Sequence, residues 1–131
     1  MKICVTSISG NLDAQVDSRF GRCQYFMIVD SESMQFESVS NLAVTSGSGA
    51  GIQAAQTIAS KNVQVLITGN VGPKAFQALF AAGITIITGA SGIVRVAIEK
   101  YKNGLLSETK APTVGEHFGM KTGKGSDRRI E

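Results

Sequence analysis

The sequence predicts an α/β fold, a mixed sheet with helices on both faces, from three observations. Three short runs rich in β-branched and aromatic residues fall within the first forty positions, two of them joined by only a short polar link. After Asn41 each further run of this kind alternates with a stretch of helical period. An antiparallel hairpin followed by strand–helix crossovers closes into a sheet covered on both sides.

The strand runs lie at 2–7, 25–30, 35–40, 63–68 and 84–88. Residues 31–34, Ser-Glu-Ser-Met, suit a tight hairpin between the second and third runs, so the first three strands read as a meander. Strands four and five should run parallel to strand one. Ile52, Ala55, Ile58 and Ala59 share one helical face, as do Phe76, Leu79 and Phe80, and then Val94, Ala97, Ile98 and Tyr101. Pro73 fits the first turn of the second helix, Ser91 can cap the third, and Asn103-Gly104 supplies a stop after Lys100 and Lys102.

A chain of 131 residues, 43% hydrophobic and 18% charged, can bury a core as one domain without disulfide staples. No apolar run approaches the length of a bilayer span, and Met1-Lys2-Ile3-Cys4-Val5 enters a strand-like segment rather than a signal peptide. The expected location is therefore the cytoplasm, with no membrane partner. Of the net charge of +3, residues 121–131 supply +2 through Lys121, Lys124, Arg128 and Arg129 against Asp127 and Glu131. The rest is nearly neutral and lacks a basic face interleaved with stacking aromatics, which argues against nucleic acid. GMKTGKGSDRRIE reads as a flexible polar tail serving solubility or weakly attracting an anionic partner.

Glycine marks the strand–helix junctions. Thr68-Gly69-Asn70-Val71-Gly72 is echoed twenty residues later by Thr88-Gly89-Ala90-Ser91-Gly92, and Gly47-Ser48-Gly49-Ala50-Gly51 opens the first helix. In an open α/β sheet, ligands sit beyond the carboxyl ends of the parallel strands, where helix-start N–H groups and dipoles favour anions. Tight βα turns need glycine even without a ligand, and binding is favoured only by three such loops together. Nucleotide-binding signatures are missing: GSGAG does not follow a first βα turn, and 69–74 lacks the phosphate-loop pattern. The single histidine, His117, has no identifiable triad partners, and strand one carries no carboxylate for a two-metal nuclease. Asp13, Asp17 and Asp30 read as turn residues, and no enzymatic constellation emerges.

The stretch DSRFGRCQYF, residues 17–26, gathers Arg19, Arg22 and Cys23 around Gly21, with Phe20 and Phe26 expected in the core. Cys4, inside an apolar strand, reads as a buried hydrophobe. Cationic neighbours lower a thiol pKa, so Cys23 is either structural or a thiolate ligand. Arg19 can bind an anion or merely pair with Asp17.

DSRFGRCQYF, GSGAGIQAA, ITGNVGPKAFQAL and AIEKYKNGLL, in that order over residues 1–106, resemble the dinitrogenase iron-molybdenum cofactor biosynthesis family, which includes NifX-like proteins and the carboxyl-terminal domain of the NifB type. The resemblance implies a ribonuclease H-like α/β/α fold of three layers, with a five-stranded mixed sheet in order 3-2-1-4-5 and three helices, followed by an extended carboxyl-terminal segment over 107–131. It implies non-catalytic carriage of an anionic metal-sulfur cluster: an iron-molybdenum cofactor precursor, an iron-sulfur cluster or a molybdenum-copper sulfide. An acceptor or donor protein would be the partner. Arg19, Gly21, Arg22, Gly49, Gly51, Gly69, Asn70, Gly72 and Gly89 are then the expected cluster-binding residues, with Cys23 and His117 as candidate metal ligands. Family members often carry a histidine before the Phe-Gly pair; here that position is Arg19. Two cysteines exclude a multi-cysteine site. The alternatives are a small-anion or nucleotide-binding regulatory module, or an adaptor without metal.

Overall fold

β1 (Lys2–Ser7) lies at the centre of the sheet, and its alternating side chains feed two cores. Ile3 and Val5 enter one, while Cys4 enters the other. On one side β2 (Tyr25–Asp30) and β3 (Phe36–Ser40) add antiparallel; on the other β4 (Val65–Ile67) and β5 (Thr85–Ile87) add parallel. The order is β3-β2-β1-β4-β5, as the resemblance implies, and the arrangement is compatible with the ribonuclease H-like fold. The computed structural model describes residues 1–43 and 49–114.

Helices α1 (Ala50–Ser60) and α2 (Pro73–Ala81) cover one face through Ala54, Ala55, Ile58, Ala75 and Leu79, packed on Cys4, Phe26, Ile28, Leu66 and Ile86. Helix α3 (Val94–Lys102) covers the other through Val94, Ala97 and Ile98 against Ile3, Val5, Met27, Val65, Ile67 and Ile87. Three layers result, and burial of both sheet faces explains why β4 is an unbroken apolar run.

The differences from the expected elements have local causes. β4 and β5 are shorter than 63–68 and 84–88 because their first residues close the preceding helices: the Val63 N–H donates to Ile58 O and the Ile84 N–H to Leu79 O. β3 starts one residue late, since Gln35 O accepts the Asp30 N–H to close the hairpin. Phe80 is 70% exposed, not part of the buried face. Ala75 and Leu79, four residues apart, point inward, which turns Phe80 outward to stack on Phe76 at a centroid distance of 6.3 Å. Gln24, which leads into β2, is exposed.

Ser91 does not cap α3. The N-cap is Ile93, and the first helical N–H groups are taken by the loop that follows β1: Val94 N–H donates to Ala14 O and Arg95 N–H to Leu12 O, each at 2.9 Å. After α3 the chain, 105–114, forms no helix or strand and turns back along β5, where the Thr109 N–H donates to Ile86 O. This segment covers what would otherwise be an open sheet edge. Among the described residues, no helix is long and apolar enough to cross a membrane.

Candidate functional site

The carboxyl ends of β1, β3, β4 and β5 face the same edge, because β2 and β3 pair Tyr25 with Ser40 while β1 pairs Ser7 with Tyr25. The starts of α1 and α2 lie at this edge. Across them runs the arginine loop, 17–24, which is fixed from below by buried hydroxyls. Thr6 donates its hydroxyl to Asp17 O at 2.7 Å and sits 2.7 Å from the Thr68 hydroxyl, so Thr68 must be the donor in that pair. The Asp17 N–H returns to Thr6 O at 2.9 Å.

From this anchor the loop packs on two helix starts. The Phe20 N–H donates to Asn70 O at 3.2 Å, and Arg19 and Asn70 form a parallel bridge. A Cβ on Gly69 would lie 2.6 Å from both Cα and the carbonyl oxygen of Ser18; one on Gly21 would lie 2.9 Å from Gly51 Cα. Gly51 in turn stands within the first turn of α1, not ahead of it, and its missing side chain admits Ala75 of α2. These three glycines are therefore required by the close approach of loop, α1 and α2: backbone against backbone at Gly69 and Gly21, and against the Ala75 Cβ at Gly51. The contacts bring Arg19, Gly21, Arg22, Gly51, Gly69 and Asn70 into one neighbourhood, with Gly49 and Gly72 as N-caps of α1 and α2.

The echoed loop is different. Gly89 and Gly92 have φ of 80° and 83°, while neither Gly69 nor Gly72 has a positive φ. The Gly89 N–H is taken by Gly69 O at 2.8 Å, and the α3 N–H groups by Leu12 and Ala14 as above. The expectation that this third glycine loop offers helix-start donors is thus corrected: the β1 loop already occupies them.

Cys23 stands apart from the arginines beside it. It is fully buried among Phe20, Phe26 and Ala54, and its thiol pKa is pushed far up, first by burial and then by the Asp17 carboxylate; Arg19 lowers it least of the contributors. The burial and the raised pKa fit the structural one of the two readings of Cys23. Cys4 is likewise buried with its pKa raised, by burial and by Cys23. Both thiols should therefore resist a thiol reagent in the native protein and react at the rate of unfolding. The sign for stability follows: up to the ordinary value of 9.0 both states keep the protons, and above it the unfolded chain loses them first, so stability falls as pH rises beyond that point. A pH series of melting temperatures, with Cys23→Ala as control, checks this. His117 lies outside the described residues. Among those described, no group of three or more His, Cys, Asp or Glu is placed to hold a metal ion.

Three residues escaped the sequence reading. Asn41, 3% exposed, donates its amide to Gly21 O at 3.1 Å and Cys23 O at 2.9 Å, while its Oδ1 accepts the Ala43 N–H at 3.0 Å. It ties the arginine loop to the chain leaving β3. Thr6 and Thr68 do the same from the sheet. Asp17, read as a solvated turn residue, is buried; its Oδ1 accepts the Arg19 N–H at 3.2 Å and lies 3.7 Å from Arg19 Nε. With 40% of its side chain exposed, Arg19 keeps access to solvent.

Fold and edge together define a small α/β/α domain whose arginine loop is packed over two glycine-bearing helix starts. Residues 1–104 match the family described as dinitrogenase iron-molybdenum cofactor, and the chain belongs to that family. Its fold superposes on the apo form of the orange protein from Desulfovibrio gigas with a TM-score of 0.84 and 43% identity, covering 86% of this chain and 96% of that one. A Thermotoga protein bearing a provisional NifB label gives 0.74 and 35%, with 86% and 98% covered. An uncharacterized protein from Methanocaldococcus jannaschii is 30% identical over 97 residues, 72% of this chain and 82% of its own length.

Proposed function

We propose that this chain is a non-enzymatic carrier of an anionic metal-sulfur cluster, held at the edge formed by the arginine loop and the starts of α1 and α2, and passed to or received from another protein. The observation that carries the reading is the location of Arg19 and Arg22 on a loop packed against two helix N-termini, in a family described by the iron-molybdenum cofactor. Helix dipoles and guanidinium groups both favour negative charge, and a sulfide-rich cluster offers only anionic acceptor faces. Arg19, Arg22, Gly49, Asn70 and Gly72 are the residues proposed to face the cargo. Gly21, Gly51 and Gly69 shape the backbone beneath it. Cys23, buried in the core, is left out of the set, so the cluster is held without a cysteine bond.

Anaerobic incubation with iron and sulfide, or with thiomolybdate and copper, followed by desalting tests this. The expected result is charge-transfer absorption retained by the wild type and equally by Cys23→Ala. Absorption lost in Cys23→Ala, with the fold intact, would restore the cysteine as a ligand. No metal retained in any condition, together with a phosphate or nucleotide that raises the melting temperature, would favour the small-anion regulatory module instead.

A further inference from the structure

The segment after α3 makes its contacts with the two loops that leave β4 and β5, and it makes them through two threonine hydroxyls. Val71 N–H donates to Thr113 Oγ1 at 2.9 Å, and Thr88 N–H donates to Thr109 Oγ1 at 3.0 Å. The returning bonds complete each pair: Thr113 N–H to Val71 O at 2.9 Å, and Thr109 N–H to Ile86 O. The Thr88 and Thr109 hydroxyls are also 2.7 Å apart. Two backbone donors at the candidate edge, one from each of the loops that leave β4 and β5, are thus satisfied by oxygen acceptors belonging to this chain. An anionic ligand would offer the same kind of acceptor.

The segment is held by hydrogen bonds more than by burial. Of residues 105–114 none is fully buried; Leu106, Thr109 and Val114 are half-buried, and Leu106 alone packs against the α3-side core. A segment anchored by a few hydrogen bonds of small net worth, with little apolar surface to expose, opens locally without unfolding the domain. Its opening would release the Val71 and Thr88 N–H groups together.

We propose that residues 107–114 form a displaceable strap, in which the Thr109 and Thr113 hydroxyls occupy loop N–H groups until an anion replaces them, so that empty and loaded protein differ in whether the strap is docked. The inference rests on the carrier reading and adds a signal to it. Loading would expose a segment that a partner could read.

The test uses the full chain and tetrathiomolybdate as probe, with equilibrium binding and amide hydrogen exchange measured on the same samples. Thr109→Val/Thr113→Val removes both competing oxygens and should bind the probe on the order of tenfold more tightly, while Thr109→Ser/Thr113→Ser, which keeps the hydroxyls, should bind as wild type. In the wild type, protection at the Thr109 and Thr113 amides should fall as the probe is added. If the double valine variant does not fold, Thr113→Val alone should show the same direction with a smaller change. Binding with undiminished strap protection and equal affinity in all variants would overturn the strap and leave the carrier reading standing. Binding by the valine variant alone would mean that the strap closes the site fully. No binding by any variant would overturn both.

Discussion

Gly69→Ala should lower the melting temperature by roughly 10 to 20 °C, the largest effect expected of a methyl group added at any of the described glycines. The added Cβ would meet Ser18 Cα and carbonyl oxygen at 2.6 Å and Ser18 Cβ at 2.9 Å, two of the three being backbone atoms. Ser18 cannot retreat cheaply. The loop carrying it is tied to Thr6 through Asp17 and to Asn70 through Phe20. Overpacking of this kind costs about 3 kcal/mol when the surroundings are fixed, and a domain of this size shifts by several degrees per kcal/mol. Gly89→Ala is the matched control: nothing lies within 4 Å of its Cβ position, and only its φ of 80° opposes the change, at about 1 to 2 kcal/mol. Thermal unfolding of the two variants separates backbone contact from backbone conformation. Equal shifts would contradict the packing.

Arg19→Ala/Arg22→Ala should abolish most of the binding of an anionic sulfide probe while leaving the fold largely intact. Hydrogen bonds to charged groups contribute about 1.5 to 3 kcal/mol each, so each arginine is worth roughly tenfold or more in affinity. Arg19 is partly exposed with its Nε 3.7 Å from Asp17 Oδ1, and that oxygen also accepts the Arg19 backbone N–H, which the substitution keeps. Raised ionic strength should weaken wild-type binding and affect the double variant much less, since it is the arginine charges that salt screens. Binding titrations at two salt concentrations provide the measurement. Undiminished affinity in the variant would move the site elsewhere.

The strands and helices were legible because their signals are local. The apolar run of Ile3, Cys4 and Val5, the polar hairpin link, Pro73 and Asn103-Gly104 each depend only on near neighbours. The edge was only half legible. Sequence could say that glycine follows the fourth and fifth strands, but not that Gly69 is reserved for Ser18, Gly21 for Gly51, and Gly51 for Ala75, because each pair is brought together by the fold. The same limit hid the capping of α3, where the partners Leu12 and Ala14 lie some eighty residues away. At Cys23 the sequence left a structural and a ligand reading open. Neighbouring arginines in sequence suggested a thiolate, yet the loop folds the thiol inward and leaves Arg19 outside, and burial outweighs the charge. Asn41 had a readable local feature, the turn in which Oδ1 accepts the Ala43 N–H, but its longer contacts to Gly21 and Cys23 had no sequence signal.

The most direct test of a cluster carrier is elemental and acid-labile sulfide analysis of the protein purified without oxygen from its native cell, with both cysteines counted as free thiols after denaturation. The account predicts iron, molybdenum or copper together with inorganic sulfide, and two free thiols per chain. Protein that carries neither metal nor sulfide when isolated, under conditions where the cell makes such clusters, would contradict it.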